Sequence, residues 1–131
     1  MKSFIFLLAG VLWSAILFGQ TQSDMNADAS LKFKAADKKL NLAYQRIIIN
    51  YKADTGFLKN LRISQRIWIQ FRDAEMITRY PVRTDGYYGS IQPMCWLSYK
   101  TELTNDRTKK LMVWLKGEVE GDVCAGSIMT K

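Results

Sequence analysis

Apolar residues recur at intervals of three and four along most of the chain, the spacing typical of amphipathic helices. The first helix is predicted to begin between Asp24 and Asp28, where polar residues compete as caps, and to end near Lys52. Its apolar stripe consists of Phe33, Ala36, Leu40, Tyr44, Ile47 and Tyr51. Residues 53–56, which end in glycine, form the turn that follows it.

Two further helices are predicted on either side of the longest loop. The second runs from Phe57 to about Arg79, and the third follows a cap at Ser90 and reaches about Leu115. Because helices joined by short connections usually pack side by side, the sequence predicts an all-α fold, an antiparallel three-helix bundle. Two apolar rows outside the stripes are either covered by the tail or form a dimer surface: Leu31, Leu42 and Ile49, and Ile63, Ile67 and Phe71.

The first 19 residues have a different composition from the rest. Lys2 precedes an uncharged apolar run over residues 4–18, and a polar segment follows. This arrangement indicates a secretory signal peptide over residues 1–19 and a single domain over residues 20–131. The run is shorter than the roughly 20 residues of a spanning helix, so the processed protein is expected not to span the membrane. No cysteine lies near the cut, which argues against a lipid anchor and for a periplasmic or secreted protein.

Removal of Lys2 with the signal peptide leaves 18 basic and 12 acidic residues, a net charge of +6. This charge favours anionic partners such as lipid headgroups, cell-wall polymers or acidic proteins. Nucleic acid is not expected as a partner of an exported chain. Solvated basic side chains without any partner are the simpler explanation. The residues expected to supply adhesion to an anionic surface are Arg46, Lys59, Arg66, Lys109 and Lys110.

Export also predicts a disulfide between the two cysteines, Cys95 and Cys124. Such a bond would close a loop of about 30 residues and contribute about 3–4 kcal/mol. A helix rises about 30 Å from Cys95 to Leu115, and the nine residues from there to Cys124 reach about 30 Å only when extended. The bond therefore predicts either a tail that lies extended along the bundle or a third helix that ends early or bends.

The chain offers little catalytic chemistry. It contains no histidine, the commonest general base and metal ligand, and no cofactor or metal is expected. No serine lies in a nucleophile motif. The carboxylates of Asp73, Glu75, Glu102 and Asp106 lie on helices and are expected to form exposed salt bridges rather than a glycosidase pair. The sequence therefore favours a non-enzymatic protein.

Two arginines, Arg72 and Arg107, fall within the apolar stripes of the second and third helices. Counting away from the turns predicts two polar layers inside the bundle. Asp37 is expected to pair with Arg72 in the first. The second layer comprises Asn41, Gln65, Thr104 and Arg107. A buried guanidinium needs such partners. The alternative is an anion-binding pocket lined by both arginines.

Three short motifs carry a family resemblance. They are D-x-x-L-N-x-x-Y at residues 37–44, Q-x-x-W-x-x-x-R-D at residues 65–73 and L-T-x-x-R at residues 103–107. In this order they resemble the domain of the LprI-type lysozyme inhibitors, over residues 25–115. Trp68 belongs to the second motif and is placed with the polar layers. The motifs coincide with those layers, which suggests that they mark the fold.

The resemblance implies a small exported helical domain of bacteria that inhibits lysozyme. The alternative function is an envelope-associated structural protein that binds anionic lipid or wall polymer. Family members often carry cysteines near Ala27, Ala29 and Met76, so a disulfide between the first two helices is not expected here. Common animal lysozymes are basic, and a net charge of +6 would slow their encounter with this chain.

Overall fold

The computed structural model describes the backbone of residues 2–130 and the side chains of residues 21–130. It contains three helices, α1 (Lys2–Asn50), α2 (Thr55–Arg79) and α3 (Gln92–Lys116). Over residues 2–130 the other regular pairing is an isolated bridge between Glu118 and Thr130. The predicted all-α class with three helices is therefore confirmed. The predicted signal peptide, with its cleavage point, lies outside the described side chains.

The helix boundaries follow from capping. The Asp54 carboxylate accepts a hydrogen bond from the Phe57 amide at 2.9 Å and thereby caps α2. Gly117 ends α3 with a φ of 77°, a conformation that glycine adopts without strain. The predicted cap at Ser90 is wrong, because Ile91 occupies the cap position and makes no side-chain cap bond.

The predicted start of α1 between Asp24 and Asp28 is also wrong, since the helix continues through both residues. Side chains of this segment contact each other one helical turn apart and do not cap a helix terminus. Asp28 forms an ion pair with Lys32 at 2.6 Å, and the Gln22 amide donates to Asn26 at 3.2 Å. Such pairs, four residues apart, stabilise a helix interior.

All three helices contribute to the core, and the backbone of α1 approaches that of α3 more closely than that of α2. Glu75, Gln65 and Phe57 of α2 contact, in this order, Tyr99, Arg107 and Trp114 of α3, so the two helices are antiparallel. The core cluster comprises Leu40, Ile47, Tyr51, Leu58, Leu61 and Leu111. Buried apolar side chains of the described part extend from Ala29 to Leu111, so a chain without residues 1–19 keeps this core.

The tail after α3 folds against the end of the bundle where α1 also ends. The Tyr51 hydroxyl donates to the Trp114 carbonyl at 3.0 Å and accepts from the Met129 amide at 2.9 Å. The Trp114 indole donates to Ser127 at 3.0 Å. These contacts hold the tail beside the C-terminal end of α3.

The expected disulfide is therefore wrong, and both cysteines are free. Cys95 lies in the first turn of α3, whereas Cys124 lies in the tail at the other end. About 30 Å of helix separates the two ends. Neither geometry expected for that bond is present. α3 is not shortened, since it extends to Lys116, and the tail does not lie extended along the bundle but folds back against Trp114 and Tyr51.

We expect iodoacetamide to modify both thiols of the folded chain without any reductant. Cys124 should react first because it is exposed, whereas Cys95 is partly buried. Mass spectrometry of the chain without residues 1–19 measures the two additions. Alkylation that requires prior reduction would contradict the structure.

No helix in the described part of the chain has the length and apolar character needed to cross a membrane.

Candidate functional site

A polar contact made by Arg107 joins α2 to α3. Arg107 donates from Nε to the Gln65 side-chain oxygen at 2.9 Å and from its terminal nitrogen to the Ser64 hydroxyl at 3.0 Å. Gln65 is buried. Burial lowers the pKa of the Arg107 guanidinium, which remains protonated because the pKa of arginine is far above neutral pH. The predicted Gln65–Arg107 contact is present.

Trp68 lies between the two arginines of the sequence motifs. The guanidinium carbon of Arg72 is 5.3 Å from the centroid of the indole ring, and that of Arg107 is 5.9 Å away. Both distances lie within the range of a cation–π contact. The indole thus connects the second and third motifs physically.

The expected pair of Asp37 with Arg72 is not formed among the described side chains. Arg72, with only 12% of its side chain exposed, binds the neighbouring Asp73 at 2.9 Å. Asp37 accepts from Asn41 at 3.0 Å on α1. The reason is the packing: the backbones of α1 and α2 approach each other less closely than those of α1 and α3, and Arg72 has a carboxylate acceptor in the next residue.

The remaining members of the predicted layers make local bonds. Thr104 is completely buried, and its hydroxyl donates to the Lys100 carbonyl one turn earlier at 2.7 Å. Asn41 is exposed and bonds only Asp37 among the described side chains. The structure therefore brings together Gln65, Trp68, Arg72 and Arg107, and it leaves Asp37, Asn41 and Thr104 outside that contact network.

An open cavity of about 300 Å³ lies beside Arg107. Ser64, Asn60 and Trp114 also line it, and Arg72 does not. The Arg107 guanidinium already has two acceptors, and part of the lining is apolar, including Leu61 and Leu111. This cavity is therefore not the predicted anion pocket lined by both arginines, because Arg107 lines it and Arg72 does not.

The second candidate site is the loop between α2 and α3, residues 80–91, which we call the tyrosine loop. Three aromatic contacts order it: Tyr80 with Tyr88 at 5.7 Å, Tyr87 with Tyr88 at 4.9 Å, and Tyr80 with Trp96 of α3 at 5.6 Å. The Tyr88 hydroxyl also donates to the Pro81 carbonyl at 2.7 Å. The tyrosine loop is therefore anchored to the bundle through its own rings.

The outer side of the tyrosine loop exposes residues of the kinds found at protein interfaces. Tyr87 is 66% exposed, and the Arg83 guanidinium lies 5.9 Å from its ring centroid. Val82 is 92% exposed. Tyrosine and arginine are enriched among the residues that dominate binding energy. The sequence predicted this segment only as a loop between helices. Its three tyrosines and one arginine within nine residues already indicated a binding surface.

The basic residues predicted to bind an anionic surface are distributed over all three helices. Arg46 lies on α1, Lys59 and Arg66 on α2, and Lys110 on α3, all exposed. Lys109 forms an ion pair with Asp106 at 2.9 Å, so its charge is partly neutralised.

The fold and these sites define a small all-helical domain with an ordered aromatic loop. The sequence profile of the family described as "Lysozyme inhibitor LprI" matches residues 18–111 of this chain. That range includes the contact network of Gln65, Trp68, Arg72 and Arg107 and the whole tyrosine loop. The chain belongs to the LprI lysozyme inhibitor family.

A relative from Rhizobium meliloti (strain 1021) is 30% identical over 103 residues. The match covers 70% of this chain and 71% of the relative, which is described as an uncharacterised protein. No solved structure matches significantly.

Proposed function

We propose that residues 20–131 form an exported, non-enzymatic domain that inhibits lysozyme. The observation that carries this proposal is the family match over residues 18–111. The apolar run over residues 4–18 supports export. Inhibition by binding requires no catalytic group, only a surface that occupies the substrate cleft of the target enzyme.

We assign this binding surface to the tyrosine loop. Binding residues concentrate on loops that a rigid scaffold positions, and an ordered loop loses little conformational entropy when it binds. The ring contacts of Tyr80 and Tyr88 supply that order, while Tyr87 and Arg83 remain exposed.

The positive charge of Arg83 also supports the tyrosine loop as the surface that binds lysozyme. Lysozyme carries two carboxyl groups in its cleft. Arg83 lies within 4 Å of no carboxylate among the described side chains, so its charge is available to such a site. The overall repulsion between two basic proteins slows their encounter but does not remove a local attraction between a guanidinium and a carboxylate.

We expect the chain without residues 1–19 to slow the clearing of a bacterial cell-wall suspension by lysozyme. Arg83→Glu is expected to weaken the inhibition about tenfold or more, because it places a carboxylate against the acidic cleft. Turbidity, recorded at several inhibitor concentrations, measures the effect. Arg46→Glu is the matched control, since it changes the net charge equally on an exposed position of α1.

The control separates the two effects of charge. Both variants reduce the repulsion from a basic lysozyme by the same amount, so Arg46→Glu should inhibit as well as the unaltered chain or slightly better. Equal losses in both variants would show that the tyrosine loop is not the binding surface. Unchanged lysis over a wide molar excess of the unaltered chain would refute the inhibitory function itself.

A further inference from the structure

One face of α2 combines exposed apolar and basic side chains and has no partner in the described part of the chain. Leu58, Leu61, Gln65 and Met76 turn inward. The opposite face carries the basic residues Lys59 and Arg66, the large apolar residues Ile63, Ile67, Phe71 and Ile77, and also Gln70 and Ala74, all exposed; we call it the α2 outer face.

Four apolar members of the α2 outer face are large and substantially exposed. Ile63, Ile67, Phe71 and Ile77 expose between 45% and 60% of their surface. Ile63, Ile67 and Phe71 follow one another at intervals of four, so they form a continuous row along the helix. Single exposed apolar residues are ordinary on a protein surface, but a contiguous row marks an interaction site.

The basic members decide what kind of partner fits. Neither Lys59 nor Arg66 has a carboxylate within 4 Å among the described side chains. The one acidic residue near the flank of this row, Asp73, is paired with Arg72. The α2 outer face therefore has positive charge beside apolar surface, which is the composition of helices that lie in the interface of anionic membranes.

We infer that the α2 outer face binds the surface of an anionic lipid bilayer, with its apolar row inserted among the headgroups. A second copy of this chain fits less well, because the net charge of +6 that remains without residues 1–19 opposes self-association. A soluble polyanion would use the charges but not the apolar row. A bilayer with anionic headgroups satisfies both at once.

The test uses the chain without residues 1–19 and sedimentation with vesicles of phosphatidylglycerol and phosphatidylcholine. Lys59→Glu/Arg66→Glu is expected to lower the partition coefficient about 25-fold or more, since each basic residue near an anionic surface contributes about fivefold. Arg46→Glu/Lys110→Glu is the control, because it removes one arginine and one lysine from exposed positions on α1 and α3.

A second pair of variants tests the apolar row separately. Ile67→Ser is expected to weaken vesicle binding roughly fivefold, because it removes apolar surface that would leave water on insertion. Ile49→Ser, at an exposed position of α1, should leave binding unchanged. All substituted residues are exposed, so the variants should fold, and circular dichroism is the measurement that checks this.

Several outcomes would overturn the inference. Equal binding to vesicles of phosphatidylcholine alone would remove the role of headgroup charge. Full retention of binding in Ile67→Ser would show that the surface binds a polyanion without insertion. Losses as large in the two controls would show that no particular face is used. A dimer in solution that Ile67→Ser dissociates would assign the α2 outer face to a second copy of the chain.

Discussion

Replacing Leu111 by alanine is expected to lower the free energy of unfolding by about 2–5 kcal/mol. Leu111 has no exposed surface and packs in the cluster that includes Ile47 and Leu61. The substitution removes apolar contacts and leaves a cavity in the core that the three helices share. Urea denaturation of the chain without residues 1–19, followed by circular dichroism, measures the change.

Leu31→Ala is the matched control, because it makes the same chemical change at a position that is 65% exposed. Its effect should stay within about 0.5 kcal/mol, as is usual for surface substitutions. If the two variants lost stability equally, the buried core cluster would not be what holds the fold together. At a temperature where Leu111→Ala is folded, its inhibition of lysozyme should be unchanged, since Leu111 lies outside the tyrosine loop.

The parts of the fold that were predictable are those fixed by local chemistry. Periodicity at three and four residues predicted α2 from Phe57 to Arg79, and the structure extends it only to Thr55 at its start. Ala36, Leu40 and Ile47 of the predicted stripe are buried in α1, and Tyr51 is buried directly after its end. A helix buries the side that its apolar residues share, so this burial follows from spacing alone.

The errors arose where one residue had more than one choice of partner. Asp28 resembles a cap, but it forms an ion pair with Lys32 within the helix. The two cysteines suggested a bond, yet the tail is held by Tyr51, whose hydroxyl both donates and accepts. Sequence spacing does not show that a single hydroxyl will join α1, α3 and the tail.

The prediction of the polar layers was only partly correct. Counting residues away from the turns assumes that all three helices pack equally closely. It succeeded for Gln65 and Arg107, which belong to helices in direct contact. It failed for Asp37 and Arg72, because the backbones of α1 and α2 approach each other less closely than those of α1 and α3, and because Arg72 has an acceptor in the next residue. The composition of the tyrosine loop was visible in the sequence, but its ring contacts depend on how α2 and α3 approach each other.

Replacing Arg107 by methionine is expected to lower the free energy of unfolding by about 1–3 kcal/mol, because the side-chain oxygen of buried Gln65 loses its donor. The indole of Trp68 loses one of its two guanidinium contacts as well. Arg46→Met is the control at an exposed position of α1 and should change stability by less than about 0.5 kcal/mol. Chemical denaturation of the chain without residues 1–19 compares the two variants.

The double variant Arg107→Met/Gln65→Leu tests whether the contact itself is responsible. Replacing both polar partners by apolar side chains removes the unsatisfied oxygen, so the double variant should be more stable than the sum of the two single losses predicts. Simple additivity would show that Gln65 and Arg107 do not act together. Lysozyme inhibition by folded Arg107→Met should match that of the unaltered chain, because a residue that joins α2 to α3 maintains the scaffold without contacting the target. Inhibition lost in Arg107→Met but retained in Arg83→Glu would move the binding surface from the tyrosine loop to the cavity beside Arg107.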